Sequence, residues 1–201
     1  MTVKRDYFNG LAALWDGFPS PPDTPAKLTR FVRQAVPPTA RRILDVGCGT
    51  GILLNPLRSK CAASAEVVEL DSAERMLVQS RQKLDGQGNV SHVCAEAGSL
   101  PFAANSFDAI LCFNALPHLE PIAAVLERML ECLHPNGVLS VGHLMGSENL
   151  NAFHASVNGP VNHDHLPTAK DLAELFGHLD AEVTCEEEAA DWYFVQARRR
   201  G

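Results

Sequence analysis

No run of about 18 consecutive apolar residues occurs in this 201-residue chain, which excludes a membrane-spanning helix of ordinary length. The opening Met1-Thr2-Val3-Lys4-Arg5-Asp6 is not followed by an apolar segment of the kind a secretory signal needs. The expected compartment is therefore the cytoplasm. Cysteines at 48, 61, 94, 112, 132 and 185 include no Cys-x-x-Cys pair, which argues against a zinc ribbon, a redox pair or a disulfide framework. They read instead as small, reduced, mostly buried hydrophobes. Basic charge is scarce as well: the net charge of -7 disfavours unassisted binding to nucleic acid or anionic membranes, which need clustered Lys and Arg. The one basic run, Arg198-Arg199-Arg200, reads as a solvated tail.

What is present is a chain of 46% hydrophobic residues, enough for one domain spanning 1–201 with a full core. Residues 1–38 read as a helical arm. Tyr7, Phe8, Trp15 and Phe18 lie in a short amphipathic helix that breaks down at Pro19, Pro21 and Pro22. A second helix starts near Asp23-Thr24-Pro25 and carries Leu28, Phe31, Val32, Ala35 and Val36 at helical spacing up to Pro37-Pro38. Beyond it, strands are expected at 43–46, 67–71, 90–94, 107–113 and 138–141. Helices beginning at 52, over 73–84 and over 121–133 alternate with them. A short helix at 171–176 and two strands at 181–187 and 192–197 follow. The expected fold is an α/β, Rossmann-like, doubly wound and mostly parallel seven-stranded sheet. It has helices on both faces and an antiparallel C-terminal hairpin.

The first strand runs into Asp45-Val46-Gly47-Cys48-Gly49-Thr50-Gly51. Glycines here permit a tight turn and let a nucleoside ligand approach the backbone. A dinucleotide fingerprint started at Gly47 and Gly49 would require a third glycine at 52, and that position is Ile52. Asp45 also suits the pyrophosphate of NAD poorly, whereas it suits the ammonium of a bound amino acid, directly or through water. Asp71 ends the second strand, near the spacing of about 20 residues at which a carboxylate meets ribose hydroxyls.

Five segments in this order resemble the S-adenosylmethionine (SAM)-dependent class I methyltransferases of the group that includes the ubiquinone and menaquinone biosynthesis C-methyltransferases. Residues 43–51 and 67–77 are similar to the first and second family motifs. Ala95-Glu96-Ala97-Gly98-Ser99-Leu100-Pro101-Phe102, Ser106-Phe107-Asp108-Ala109-Ile110-Leu111 and Leu133-His134-Pro135-Asn136-Gly137-Val138-Leu139 resemble the later ones, with Asn136 standing where the family usually has glycine. The resemblance implies SAM as cofactor, with Asp45, Gly47, Cys48, Gly49 and Gly51 around its methionine part. It implies Asp71 at the ribose, and Glu96 with the Ala97 backbone at the adenine. Ser72 and Met76 belong to the same set, although either could face the core, as does Asn114 just past the fourth strand. Tyr7 and Trp15 match the family's aromatic arm. Trp15 could face the sulfonium by cation–π attraction or simply be buried against the sheet.

A methyl group on a positively charged sulfur transfers by in-line displacement, so alignment and exclusion of water are the main requirements. An acidic carbon or hydroxyl acceptor also needs a base, and histidine is the usual choice. His118 follows the fourth strand, at the end of a parallel sheet where ligands bind; it is the candidate catalytic residue or a residue opening the next helix. Residues 143–168 are rich in Asn, Gly and Ser and read as a lid or substrate-binding insertion. Within it His143, His154, His163 and His165 are candidate substrate contacts. His154, His163 and His165 are also weak metal candidates, since two or three imidazoles suit a metal. The expected acceptor is a small molecule. The rivals are a SAM-binding regulatory subunit and an NAD-dependent oxidoreductase, the latter opposed by Ile52 and Asp45.

Overall fold

The computed structural model describes residues 3–62, 64–84 and 89–201, so the first two residues of the expected arm lie outside it. The arm is helix α1 (Val3–Leu11), a one-turn 3-10 helix at Trp15–Gly17 and helix α2 (Thr24–Ala35). Pro25 sits in the first turn of α2, where its missing N–H costs nothing. The Asp23 side chain does not cap α2. It pairs with Lys27 at 2.9 Å one turn on.

The sheet is built from β1 (Arg42–Val46), β2 (Glu66–Asp71), β3 (Val90–Cys94), β4 (Phe107–Phe113), β5 (Leu133–His143), β6 (Ala181–Ala189) and β7 (Trp192–Arg199). Its order is β3-β2-β1-β4-β5-β7-β6. The β1 to β5 pairings are parallel, and β7 runs antiparallel to both β5 and β6. Helices α3 (Leu54–Lys60), α4 (Glu74–Gln82), α5 (Ile122–Cys132), α6 (Ser147–Ser156) and α7 (Ala169–His178) fill the connections. The expected fold class is the one found.

Strand alternation divides the core between two faces. Leu44 belongs to the core cluster that includes Leu126 and Met129 of α5 and Leu172 and Phe176 of α7, while Ile43, the preceding residue, belongs to the other cluster, with Phe31 of α2 and Leu57 of α3. Strands covered on both sides can be apolar throughout, and β4 is buried at all but one position. Strand order reverses between β1 and β4. The crevice at their carboxyl ends is the natural ligand position of such a sheet.

Two stretches differ from expectation. β5 begins at Leu133, five residues before the strand expected at 138–141. Asn136 there takes φ 66°, a left-handed conformation that Asn tolerates better than most residues, and the register between β4 and β5 is irregular at that point. The 143–168 stretch is also more ordered than its composition indicates, since it begins with the last residue of β5 and contains α6.

Candidate donor and acceptor sites

The glycine loop is stitched to the end of β2. The amides of Gly47 and Cys48 both donate to the Leu70 carbonyl, at 2.7 and 3.1 Å. The Asp71 carboxylate accepts from Gly49 N–H at 2.9 Å with one oxygen and from Ala73 N–H at 2.7 Å with the other. Gly49 (φ 55°) has open space where a side chain would be, whereas a Cβ on Gly51 (φ 79°) would lie 2.5 Å from Ser80 Oγ and 2.7 Å from Leu54 Cδ1. The loop is therefore open beside position 49 and packed at 51. Cys48 is buried beside it, its thiol pushed well up by burial and by the carboxylates of Glu69, Asp45 and Asp71.

Below the loop lies a concentration of acid. Asp45 is 1% exposed, and its Oδ2 is buried without a hydrogen-bond partner. Burial raises its carboxyl well above the ordinary range, and Glu69 and Asp71 raise it further. Asp71 is raised as well, by burial first, against the stabilising amides of Ala73 and Gly49. Glu96 also raises Asp71, and His118 lowers it. Those two side chains thus stand within electrostatic reach of the end of β2. Glu69, which the sequence reading passed over, is completely buried and belongs to the same group.

The remaining predicted donor residues surround this point. Ala97 is buried in a 3-10 turn immediately after the exposed Glu96. Met76 packs with Ala12 and Ala73 under Phe8, and Ser72 accepts a Cys94 thiol contact at its carbonyl. Asn114 adopts φ 52° and accepts the Leu144 N–H at 3.1 Å, tying the ends of β4 and β5 together. Trp15 is 37% exposed and meets Phe8 and Phe18 edge-on, and Tyr7 lies edge-on to Phe8 and against Gly159.

His118, in a 3-10 turn after β4, is joined to a residue far away in sequence. Its Nδ1 lies 2.5 Å from Asp164 Oδ2, while Lys4 Nζ lies 2.5 Å from Asp164 Oδ1. His154 Nδ1 is 3.0 Å from the Asp164 carbonyl, which can only accept, so this nitrogen carries the proton. Burial would raise Asp164, but the His118 and Lys4 hydrogen bonds outweigh it and hold the carboxyl below the usual range. An ionised Asp164 can only accept, so His118 Nδ1–H donates to it. The His118 ring packs between Phe8, at 5.1 Å, and His154, at 5.2 Å.

His143, the last residue of β5, is buried, and burial holds it neutral, down at about 3, with His118 and His154 adding to the effect. Its Nε2 and the hydroxyl of neighbouring Tyr193 are both buried without partners. His163 and His165 are exposed on either side of buried Asp164. Among the described residues no group of three His, Cys, Asp or Glu side chains could hold a metal ion. The weak candidate set His154, His163 and His165 forms no such group: His154 is buried, whereas His163 and His165 are exposed. A separate groove of about 580 Å³ between α2 and α3, lined by Leu28, Arg33, Ile52 and Lys60, contains none of the site residues.

Sheet order, glycine loop and a carboxylate ending β2 define the class of SAM-dependent methyltransferase folds. Residues 43–137 match the family model described as a methyltransferase domain. The chain is 36% identical over 105 residues to a demethylmenaquinone methyltransferase of Clavibacter sepedonicus, covering 52% of this chain and 42% of that one. It is 38% identical over 104 residues to a ubiquinone/menaquinone biosynthesis C-methyltransferase of Yersinia enterocolitica, covering 50% and 41%. The match thus spans less than half the length of these relatives. A SAM-dependent methyltransferase structure from Aquifex aeolicus superposes with a TM-score of 0.73 at 17% identity, covering 97% of this chain and 98% of that one.

Domain and fold imply SAM as the cofactor. The residues present fit it: Asp45 keeps an unpartnered carboxylate oxygen, position 49 is open, and Asp71 is fixed by two amides. Among the described residues no helix is long and apolar enough to cross a membrane.

Proposed function

We propose that the chain transfers the methyl group of SAM to a small-molecule acceptor in the cytoplasm. The observation that carries this reading is the Asp71 carboxylate, fixed by the Gly49 and Ala73 amides at the glycine loop within electrostatic reach of Asp45. In this reading Asp45, Gly47, Cys48, Gly49 and Gly51 hold the methionine part, Asp71 with Ser72 and Met76 the ribose, and Glu96 with Ala97 the adenine. Tyr7, Trp15 and Asn114 close the methionine end. Bound SAM would supply an electrophilic methyl on a positively charged sulfur.

The protein's own task is then alignment, exclusion of water and removal of the acceptor's proton. His118 takes that proton at Nε2. Asp164 fixes the ring through Nδ1 and stabilises the imidazolium that forms, and Lys4 holds Asp164 from its other oxygen. His143 and His154 belong to the acceptor side. Relatives named for menaquinone and ubiquinone synthesis favour an aromatic hydroxyl compound or its acidic ring carbon as acceptor. The net charge of -7 favours a small molecule over nucleic acid.

Calorimetry with SAM, its demethylated product and NAD tests the donor. SAM and its product are expected to bind and NAD not; NAD binding without SAM binding overturns the reading. Turnover of SAM against quinols, phenols, thiols and metalloid anions then tests the acceptor, with the first two expected to react.

A further inference from the structure

Glu69 is the acidic residue within Val67-Val68-Glu69-Leu70 of β2 and is completely buried. Parallel pairing sets it directly opposite Asp45 of β1. Alternation along β2 puts its side chain on the same face as Asp71. A Cβ on Gly51 would come within 3.1 Å of its Oε1, so the carboxyl group lies against the packed side of the glycine loop. Its Oε2 accepts from the Ser80 hydroxyl and stands 3.0 Å from His92 Nε2, while Oε1 has no partner.

The groups that face it come from every neighbouring element. Asp45 and Cys48 lie on the β1 side, Asp71 on its own strand, Ser80 on α4 and Lys83 just past its end, and His92 on the outermost strand β3. Burial lifts the Glu69 carboxyl to about 7, opposed by Ser80 and Lys83 and assisted by Asp71. His92 is itself disfavoured as a cation, by burial and by Arg81. Three carboxyl groups thus share one buried pocket, and like charges so placed do not all ionise readily without a cation among them.

We propose that Glu69, held by Ser80 and His92 against the glycine loop, is a positioning residue for SAM whose ionisation is coupled to SAM binding. This rests on the reading that the loop holds SAM. A ligand carrying an ammonium and a sulfonium favours the ionised form of the pocket, and by reciprocity the ionised pocket favours the ligand. The balance is one proton: protonated Glu69 gives it up to bulk water as the ligand binds, and no bond to the ligand forms. Affinity for SAM therefore increases as pH rises through the Glu69 range.

Calorimetric titration with SAM at pH 6 to 8, in buffers of different ionisation enthalpy, counts the proton. The wild-type chain is expected to release about 0.4 of a proton per SAM bound near pH 7 and to gain about fivefold in affinity from pH 6 to 8, for a midpoint moved by one unit on binding. Glu69→Gln should bind SAM with no such pH dependence and no release. His92→Leu should keep the release but move its midpoint upward, because the ionised carboxylate loses a hydrogen-bond donor. Melting curves establish that both variants are folded. Release that persists unchanged in Glu69→Gln assigns the proton to Asp45 and overturns the inference, as does pH-independent binding by the wild type. Failure of the wild type to bind SAM at any pH overturns the donor reading as well.

Discussion

The donor and acceptor ends of this site are built in opposite ways. At the donor end, the loop of residues 45–51 and the tip of β2 form a nearly contiguous unit whose contacts are largely backbone amides donating to Leu70 and Asp71. The acceptor end joins side chains from residues 4, 118, 154 and 164, drawn from α1, the turn after β4, α6 and the segment before α7. A unit of the first kind depends on backbone conformation and tolerates little change in sequence. The second depends on side-chain chemistry at positions that can vary independently, as befits a fold that serves many acceptors.

If this division is right, substitutions at the two ends should separate binding from chemistry. The largest effect is expected from His118→Ala: kcat lower by about 10²- to 10⁴-fold, the usual worth of a positioned base, with SAM affinity within about threefold of wild type by calorimetry. A comparable loss of SAM affinity in that variant would erase the distinction between the ends. Next comes Asp71→Ala, which removes the acceptor of two amide hydrogen bonds as well as the ribose partner. SAM affinity should fall by about 100-fold, in line with about 3 kcal/mol for hydrogen bonds to a charged group.

Gly51→Ala probes the backbone nature of the donor end. It combines a left-handed φ with contacts below 3 Å to Ser80 and Leu54, for a cost of about 2 kcal/mol or more and a drop in Tm of roughly 5 °C. An unchanged Tm would mean the loop is not conformationally fixed. The smallest effect belongs to Asp164→Asn and has a definite sign. Because the folded-state carboxyl lies below its ordinary value of 3.8, the stability that Asp164 contributes is fully present above that value and fades as pH falls through the folded one. The wild type should exceed the variant in Tm at pH 7, and the gap should close toward pH 2.

The donor end was legible in the sequence because its signals are local. Glycines at 47, 49 and 51, the misfit of Ile52 to a dinucleotide fingerprint, and Asp71 closing an apolar strand all lie within one strand-loop-helix-strand unit. Glu69 was not legible. A single acid inside an apolar strand says nothing of its surroundings until β1, α4 and β3 bring Asp45, Ser80 and His92 against it. At the acceptor end, spacing drew attention to His163 and His165, yet the residue between them is the one that turns inward. The Lys4 to Asp164 contact spans almost the whole chain, and no periodicity predicts a pairing at that separation. The early start of β5 at Leu133 was not legible, because Pro135 and Asn136-Gly137 are ordinary turn residues; Leu133 pairs with Phe107, and the regular register with β4 resumes only at Val138.

Helix α1 has no buried residue. Polar links hold its segment: Lys4 to Asp164, the Asn9 side chain to the Arg75 amide, and Asp16 to Thr50 and Lys83. Phe8 adds an apolar contact with Met76 and Ala73, so dissolved ions weaken chiefly the exposed Asp16–Lys83 link and leave the rest of the attachment, including the pair at buried Asp164, largely in place.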